Sequence, residues 1–98
     1  MLKNEKYRLV KDEFNGVYSV VSLGRSPKVC PCGINENPKK IMHDFINWRL
    51  DNYQLGESIL TTLFDMITYC EDLEGRKAIM KQIEIHLYYQ NVDEFDFN

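Results

Sequence analysis

Tyr7-Arg8-Leu9-Val10-Lys11-Asp12-Glu13-Phe14-Asn15-Gly16-Val17-Tyr18-Ser19-Val20-Val21-Ser22-Leu23 is the stretch on which the fold turns. Residues 7–11 and 17–23 are rich in β-branched and aromatic strand formers, and Asn15-Gly16 stands between them. That dipeptide tolerates positive φ at both central positions and is a strong short-range hairpin signal. A two-residue turn there pairs Phe14 with Val17, Asp12 with Ser19, Val10 with Val21 and Arg8 with Leu23. Alternate side chains point to opposite faces. One face then carries Phe14, Val17, Val10, Val21 and Leu23, and the other carries Tyr7, Leu9, Tyr18 and Val20 with Glu13, Lys11 and Ser22. The first is the expected core face. A lone hairpin is marginal in water, so it must lie on helices or find a further strand.

Helices are what follow. Asn37-Pro38 reads as an N-cap and a first helical residue, because Asn accepts from a free backbone N–H and Pro there loses nothing. Ile41, Met42, Phe45, Trp48 and Arg49 then recur at helical spacing, predicting a helix over 38–52 that Tyr53-Gln54-Leu55-Gly56 breaks. Ile59, Leu60, Leu63, Phe64, Ile67 and Cys70 form one stripe of a second helix over 57–73, with Glu57 and Ser58 at its start. Gly75 is its expected stop. Ile79, Met80, Ile83 and Leu87 mark a third helix over 76–90. Residues 24–37 hold two prolines and two glycines and read as a connecting loop. Residues 92–98 form an acidic tail with Phe95 and Phe97 interleaved.

The expected fold is therefore α+β: an N-terminal β-hairpin (6–23) packed on a bundle of about three α-helices. Ninety-eight residues make one small domain, 1–98, able to bury a modest core without disulfides or metal. No apolar run approaches the ~18 residues of a membrane span. The N-terminus has no apolar leader region, and three cysteines cannot pair completely, which fits a reducing, cytoplasmic setting.

Charge is unevenly spread. Residues 1–49 hold nine basic and five acidic residues, and residues 50–98 hold three basic and ten acidic ones, giving +4 and −7 and the overall −3. A sequence pI of about 5.3 makes direct nucleic-acid binding an unfavoured role. Lys39 and Lys40, near Lys28 and Arg25 in sequence, would suit an anion, although two solvated lysines are the simpler reading. No glycine-rich phosphate loop is present.

Cys30-Pro31-Cys32 is the most chemical-looking segment. Redox motifs place two residues between the cysteines, not one. Zinc would need Cys30, Cys32, His43 and either Cys70 or His86, at a spacing that matches no common zinc pattern. Ordinary loop cysteines are favoured, and neither metal, cofactor nor catalytic residues are expected.

The aromatics are the better lead. Tyr7, Tyr18, Trp48, Tyr53, Tyr69, Tyr88, Tyr89, Phe95 and Phe97 exceed what a small core needs, and such residues are enriched at protein interfaces. The expectation is a non-enzymatic protein-binding regulator or inhibitor. Its partner-binding residues are taken as Glu71, Asp72, Glu74, Tyr88, Tyr89, Asp93, Glu94, Phe95, Asp96 and Phe97. If the partner is a nucleic-acid-binding protein, these carboxylates could imitate phosphates. Richness in Asn, Lys, Ile and Tyr is in keeping with a viral protein, from a phage or other mobile element. The alternative is a small zinc or thiol module built on Cys30, Cys32 and a histidine. A homodimer whose helices complete each other's core is a third reading.

Overall fold

The computed structural model describes residues 6–24, 26–52 and 59–96, with the backbone alone for Asn52 and residues 89–96. Three strands, β1 (Lys6–Lys11), β2 (Tyr18–Leu23) and β3 (Val29–Asn35), precede three helices, α1 (Pro38–Asn52), α2 (Ile59–Tyr69) and α3 (Leu73–Asp96). The strands form one antiparallel sheet in the order β1-β2-β3. The α+β class and the strand-first order are as the sequence implies.

The hairpin forms, but its register is two residues away from the expected one. Lys11 pairs with Tyr18 and Leu9 with Val20. Asp12 sets this register. Its N–H donates to the Val17 carbonyl at 2.8 Å, and its carboxylate accepts from the Phe14 N–H at 2.9 Å and the Asn15 side chain at 3.0 Å. Within residues 12–17 of the turn, Gly16 alone has positive φ, at 69°, and its N–H donates to the Asp12 carbonyl at 2.7 Å. A two-residue turn would need positive φ at Asn15 as well, so the chain closes a four-residue loop instead.

The core face is also the opposite of the expected one. Tyr7, Leu9, Tyr18 and Val20 are buried, while Phe14 is fully exposed at the hairpin tip. Two tyrosines can be buried here because each keeps a use for its body or its hydroxyl. The Tyr7 ring meets Phe45 edge-on at 5.1 Å, and Trp48 lies 6.1 Å from both.

Residues 24–37 are not all loop. Their second half is β3, an edge strand containing both Cys30 and Cys32. Ser19 pairs with Ile34 and Val21 with Val29, so β3 carries extra residues opposite Val20. Pro31 and Gly33 (φ 103°) lie in that irregular stretch. Proline and glycine argue against a central strand, but an edge and a bulge accept both.

Asn37 caps α1 as expected, its Oδ1 accepting the Lys39 N–H at 3.0 Å. The helix buries Ile41, Met42, Phe45, Ile46 and Arg49, and it lies against β2 and β3. Arg49 is only 1% exposed and donates from Nε to Thr62 Oγ1 at 3.1 Å, joining α1 to α2. The expected cap at Glu57 and Ser58 lies outside the described residues. On α2 the buried stripe is Thr62, Leu63 and Met66, rotated from the predicted one, and Phe64 is half exposed.

Gly75 does not stop α2. The helix ends at Tyr69, and Asp72 caps the start of α3. Asp72 Oδ2 accepts the Gly75 N–H at 2.9 Å and the Tyr18 hydroxyl at 2.5 Å, tying the sheet to the helix. Arg76 Nη1 turns back to the Ile67 and Cys70 carbonyls at 2.7 and 3.0 Å, closing the end of α2. Gly75 is needed for room: a Cβ there would meet Cys70 Sγ at 3.0 Å and Leu9 Cδ2 at 3.1 Å. α3 then continues to Asp96, so residues 92–96 of the expected tail are the last turn of a 24-residue helix. Phe97 and Asn98 lie outside the described residues.

The Tyr18 bond, first, and the Gly75 N–H, second, hold the Asp72 carboxyl below the usual aspartate range. A lowered folded pKa contributes stability above the unfolded value, near about 4, and loses it as pH falls through the folded value. Tyr18→Phe should cost about 1.5 kcal/mol at neutral pH and lower the thermal midpoint by roughly 5–10 °C. Its deficit should shrink below pH 4 in acid-unfolding curves; a deficit independent of pH would contradict the Asp72 assignment. Gly75→Val should lower the same midpoint through overpacking against Leu9 and Cys70, at about 1–3 kcal/mol.

Candidate functional site

Two surfaces stand out, and α3 contributes to both. One is apolar. Leu73, Met80 and Leu87 recur at seven-residue intervals and so form one row along α3. Met80 and Leu87 follow Arg76 by four and eleven residues, which places them on the flank that Arg76 turns toward α2. They are 44% and 42% exposed, Leu73 64%, and on α2 Phe64 is 50% and Tyr69 44% exposed. Leu60 and Ile67, on the Phe64 flank, pack partly against the core. Large apolar side chains are thus exposed on both α2 and α3, which pack against each other.

The other surface is basic. Lys11 from the end of β1, Lys39 from the first turn of α1, and Lys77 and Lys81 from α3 line a surface concavity of about 710 Å³. Tyr18, Asn37, Glu36 and Glu74 complete most of its wall. Lys77 Nζ lies 3.6 Å from Glu74, and Lys11 Nζ lies 5.8 Å from the Tyr18 ring. Among the described residues, Lys39 and Lys81 have no carboxylate partner.

The expected acidic site is divided. Glu71, exposed, stands 3.9 Å from Arg8 Nη2, and Glu74 faces Lys77. Asp72 is spent on Tyr18 and Gly75 and serves as a cap rather than a free contact. Asp93, Glu94, Phe95 and Asp96 occupy the last turn of α3. From Glu74 to Asp93 is nineteen residues along the helix, or about 28 Å at 1.5 Å per residue. Tyr88 is exposed on α3, the Tyr89 side chain is not described, and Phe97 lies outside the described residues. Of the aromatics read as surface residues, Tyr7 and Tyr18 are core, Trp48 packs partly against it, and Tyr53 lies outside the described residues.

The lysines that are near one another in sequence are divided in the same way. Lys40 is drawn to Asp44 at 3.0 Å, and Lys28 lines a different concavity of about 440 Å³ beside Tyr7, Cys30 and Trp48. Arg25 lies outside the described residues. Lys39 keeps company instead with lysines 28 and more positions away in sequence. The one sequence signal was Lys77 and Lys81 at i, i+4, which share a helix face.

The cysteines do not assemble a metal site among the described residues, where no group of three His, Cys, Asp or Glu side chains is close enough to hold an ion. Cys32 N–H donates to Cys30 Sγ at 3.4 Å, His43 shares a contact with Asn47, and Cys70 donates to the Asp72 carbonyl at the α2–α3 junction. Burial first, and then Cys30, push the Cys32 thiol up to about 12. Burial also raises Cys70, and lowers His86 on α3. Such thiols are poor nucleophiles at neutral pH. No described helix is long and apolar enough to cross a membrane.

The chain matches no known family model, no curated protein and no solved structure.

Iodoacetamide at pH 7.5 should alkylate Cys32 and Cys70 at least tenfold more slowly in the native protein than in denaturant, since only the thiolate reacts. Peptide mass spectrometry reads each site. Native labelling of Cys32 as fast as in denaturant would restore the thiol reading.

Proposed function

We propose that this protein is a non-enzymatic binding protein that regulates or inhibits a protein partner by covering its surface. The observation that carries the reading is the exposed row of Leu73, Met80 and Leu87 on α3, with Phe64 also exposed on the neighbouring α2. Apolar side chains left exposed in a row, with charged residues beside them, are what a protein interface uses. Met and aromatic residues supply contact area, and Glu71 and Glu74 at one end of α3 supply charge.

The same reading takes the partner to be a basic, nucleic-acid-binding protein and the chain to be a cytoplasmic product of a phage or mobile element. These finer parts rest on composition and on the acidity of residues 50–98. The division of the carboxylates between the two ends of α3 favours two separate charge contacts flanking an apolar centre. In that arrangement the apolar residues hold the complex and the acidic ones speed its formation.

A partner captured from a lysate of the source cell by the full chain should be lost with a Phe64→Ser, Met80→Ser, Leu87→Ser variant, by at least ~100-fold in affinity if each anchor contributes ~1 kcal/mol or more. Equal capture by the folded variant would remove the proposed face. Replacing Glu71 and Glu74 by Ser should slow association at low salt with little change in dissociation, as stopped-flow binding would report.

A further inference from the structure

We infer that the concavity between the end of β1, the start of α1 and the second and third turns of α3 binds a compact polyphosphate group, such as a nucleoside di- or triphosphate carries. This site is separate from the apolar face above, and the inference does not depend on it.

Folding alone creates the site. Lys11, Lys39, Lys77 and Lys81 come from three elements and converge on one concavity. The molecule as a whole is net acidic at −3, so this is a local reversal of its field. Like charges gathered at one place repel unless an anion lies among them. The local carboxylates do not satisfy all four: Glu74 faces Lys77, while among the described residues Lys39 and Lys81 have no acidic partner and Lys11 faces the Tyr18 ring. The lysine side chains carry the argument, because Asn37 already caps α1. Lysine binds phosphate as a mobile point charge, and three such charges suit two or three adjoining phosphates better than one.

Size and surroundings narrow the ligand. About 710 Å³ lies within the range of small-molecule sites. Glu36 and Glu74 in the wall oppose an extended phosphate backbone running past them. The aromatic ring in the wall, Tyr18, is buried in the core, so it offers no open face on which bases could stack. A short, dense anion fits these limits and a nucleic-acid strand does not.

Isothermal titration of the full chain with sodium tripolyphosphate in 150 mM salt tests the site. Saturable one-to-one binding is expected, at least tenfold tighter than with orthophosphate. Lys39→Gln with Lys81→Gln should weaken it at least tenfold. Lys6→Gln with Lys28→Gln removes the same charge elsewhere on the surface and should change it less than twofold. Glu36→Gln should strengthen it. All these side chains are exposed, and circular dichroism would verify that each variant is folded. A nucleoside triphosphate and a soluble inositol trisphosphate form two further arms; preference for the first assigns a free nucleotide as the source, and for the second a lipid head group. No saturation at millimolar tripolyphosphate, equal weakening by both lysine pairs, or tighter binding of a ten-nucleotide single strand would overturn the inference.

Discussion

The structure depends on one joint, where the sheet meets the turn between α2 and α3. Asp72 accepts the Tyr18 hydroxyl from β2 and the Gly75 N–H from α3 on the same oxygen. Arg76 reaches back to two carbonyls at the end of α2, and Gly75 lets Leu9 and Cys70 come within contact of the α3 backbone. One turn thus ends a helix, starts another and fastens both to the strands. Burial and the Asp72 carboxylate push the Tyr18 phenol far above the ordinary tyrosine range, so the hydroxyl stays a donor throughout the physiological range. The polar bond lies at the edge of an apolar core, where loss of one partner leaves the other desolvated and unmatched.

This joint also aims α3. Its inner face buries Ala78, Ile79 and Ile83, and the flank beside α2 exposes Met80 and Leu87. A third flank turns Lys77 and Lys81 toward Lys11 and Lys39. Three different environments around one helix explain why its sequence has no single clean stripe. Residues that look irregular along the chain are regular once each is assigned to a neighbour. The charge imbalance between the two halves of the sequence is likewise redistributed, since lysines from the acidic half complete the basic concavity.

Much of the architecture was readable from local patterns. The Asn37-Pro38 start, the periodicity of α1 and the existence of three helices follow from short-range chemistry that tertiary contacts then reinforce. β3 was hidden because Pro31 and Gly33 are poor strand residues, tolerated only at an edge with a bulge, and edges are not visible in one dimension. The candidate sites were less legible. Tyr7 and Tyr18 carry polar tips that suggest a surface, yet ring packing and the Asp72 bond make them core. Lys28 and Lys40 looked like companions of Lys39 because they are near it in sequence, but a side chain's neighbours are set by packing.

Residues within a few positions of one another define the elements: strand formers around Asn15-Gly16, a capped α1, and two further helices. Long-range packing settles which hairpin face is buried, where α2 stops, and which lysines meet. Those outcomes turn on Asp12 choosing a four-residue loop and on Asp72 finding a tyrosine fifty-four residues away. Bonds of that kind compete with equally reasonable local alternatives, and the alternative that also fills the core is the one the chain adopts.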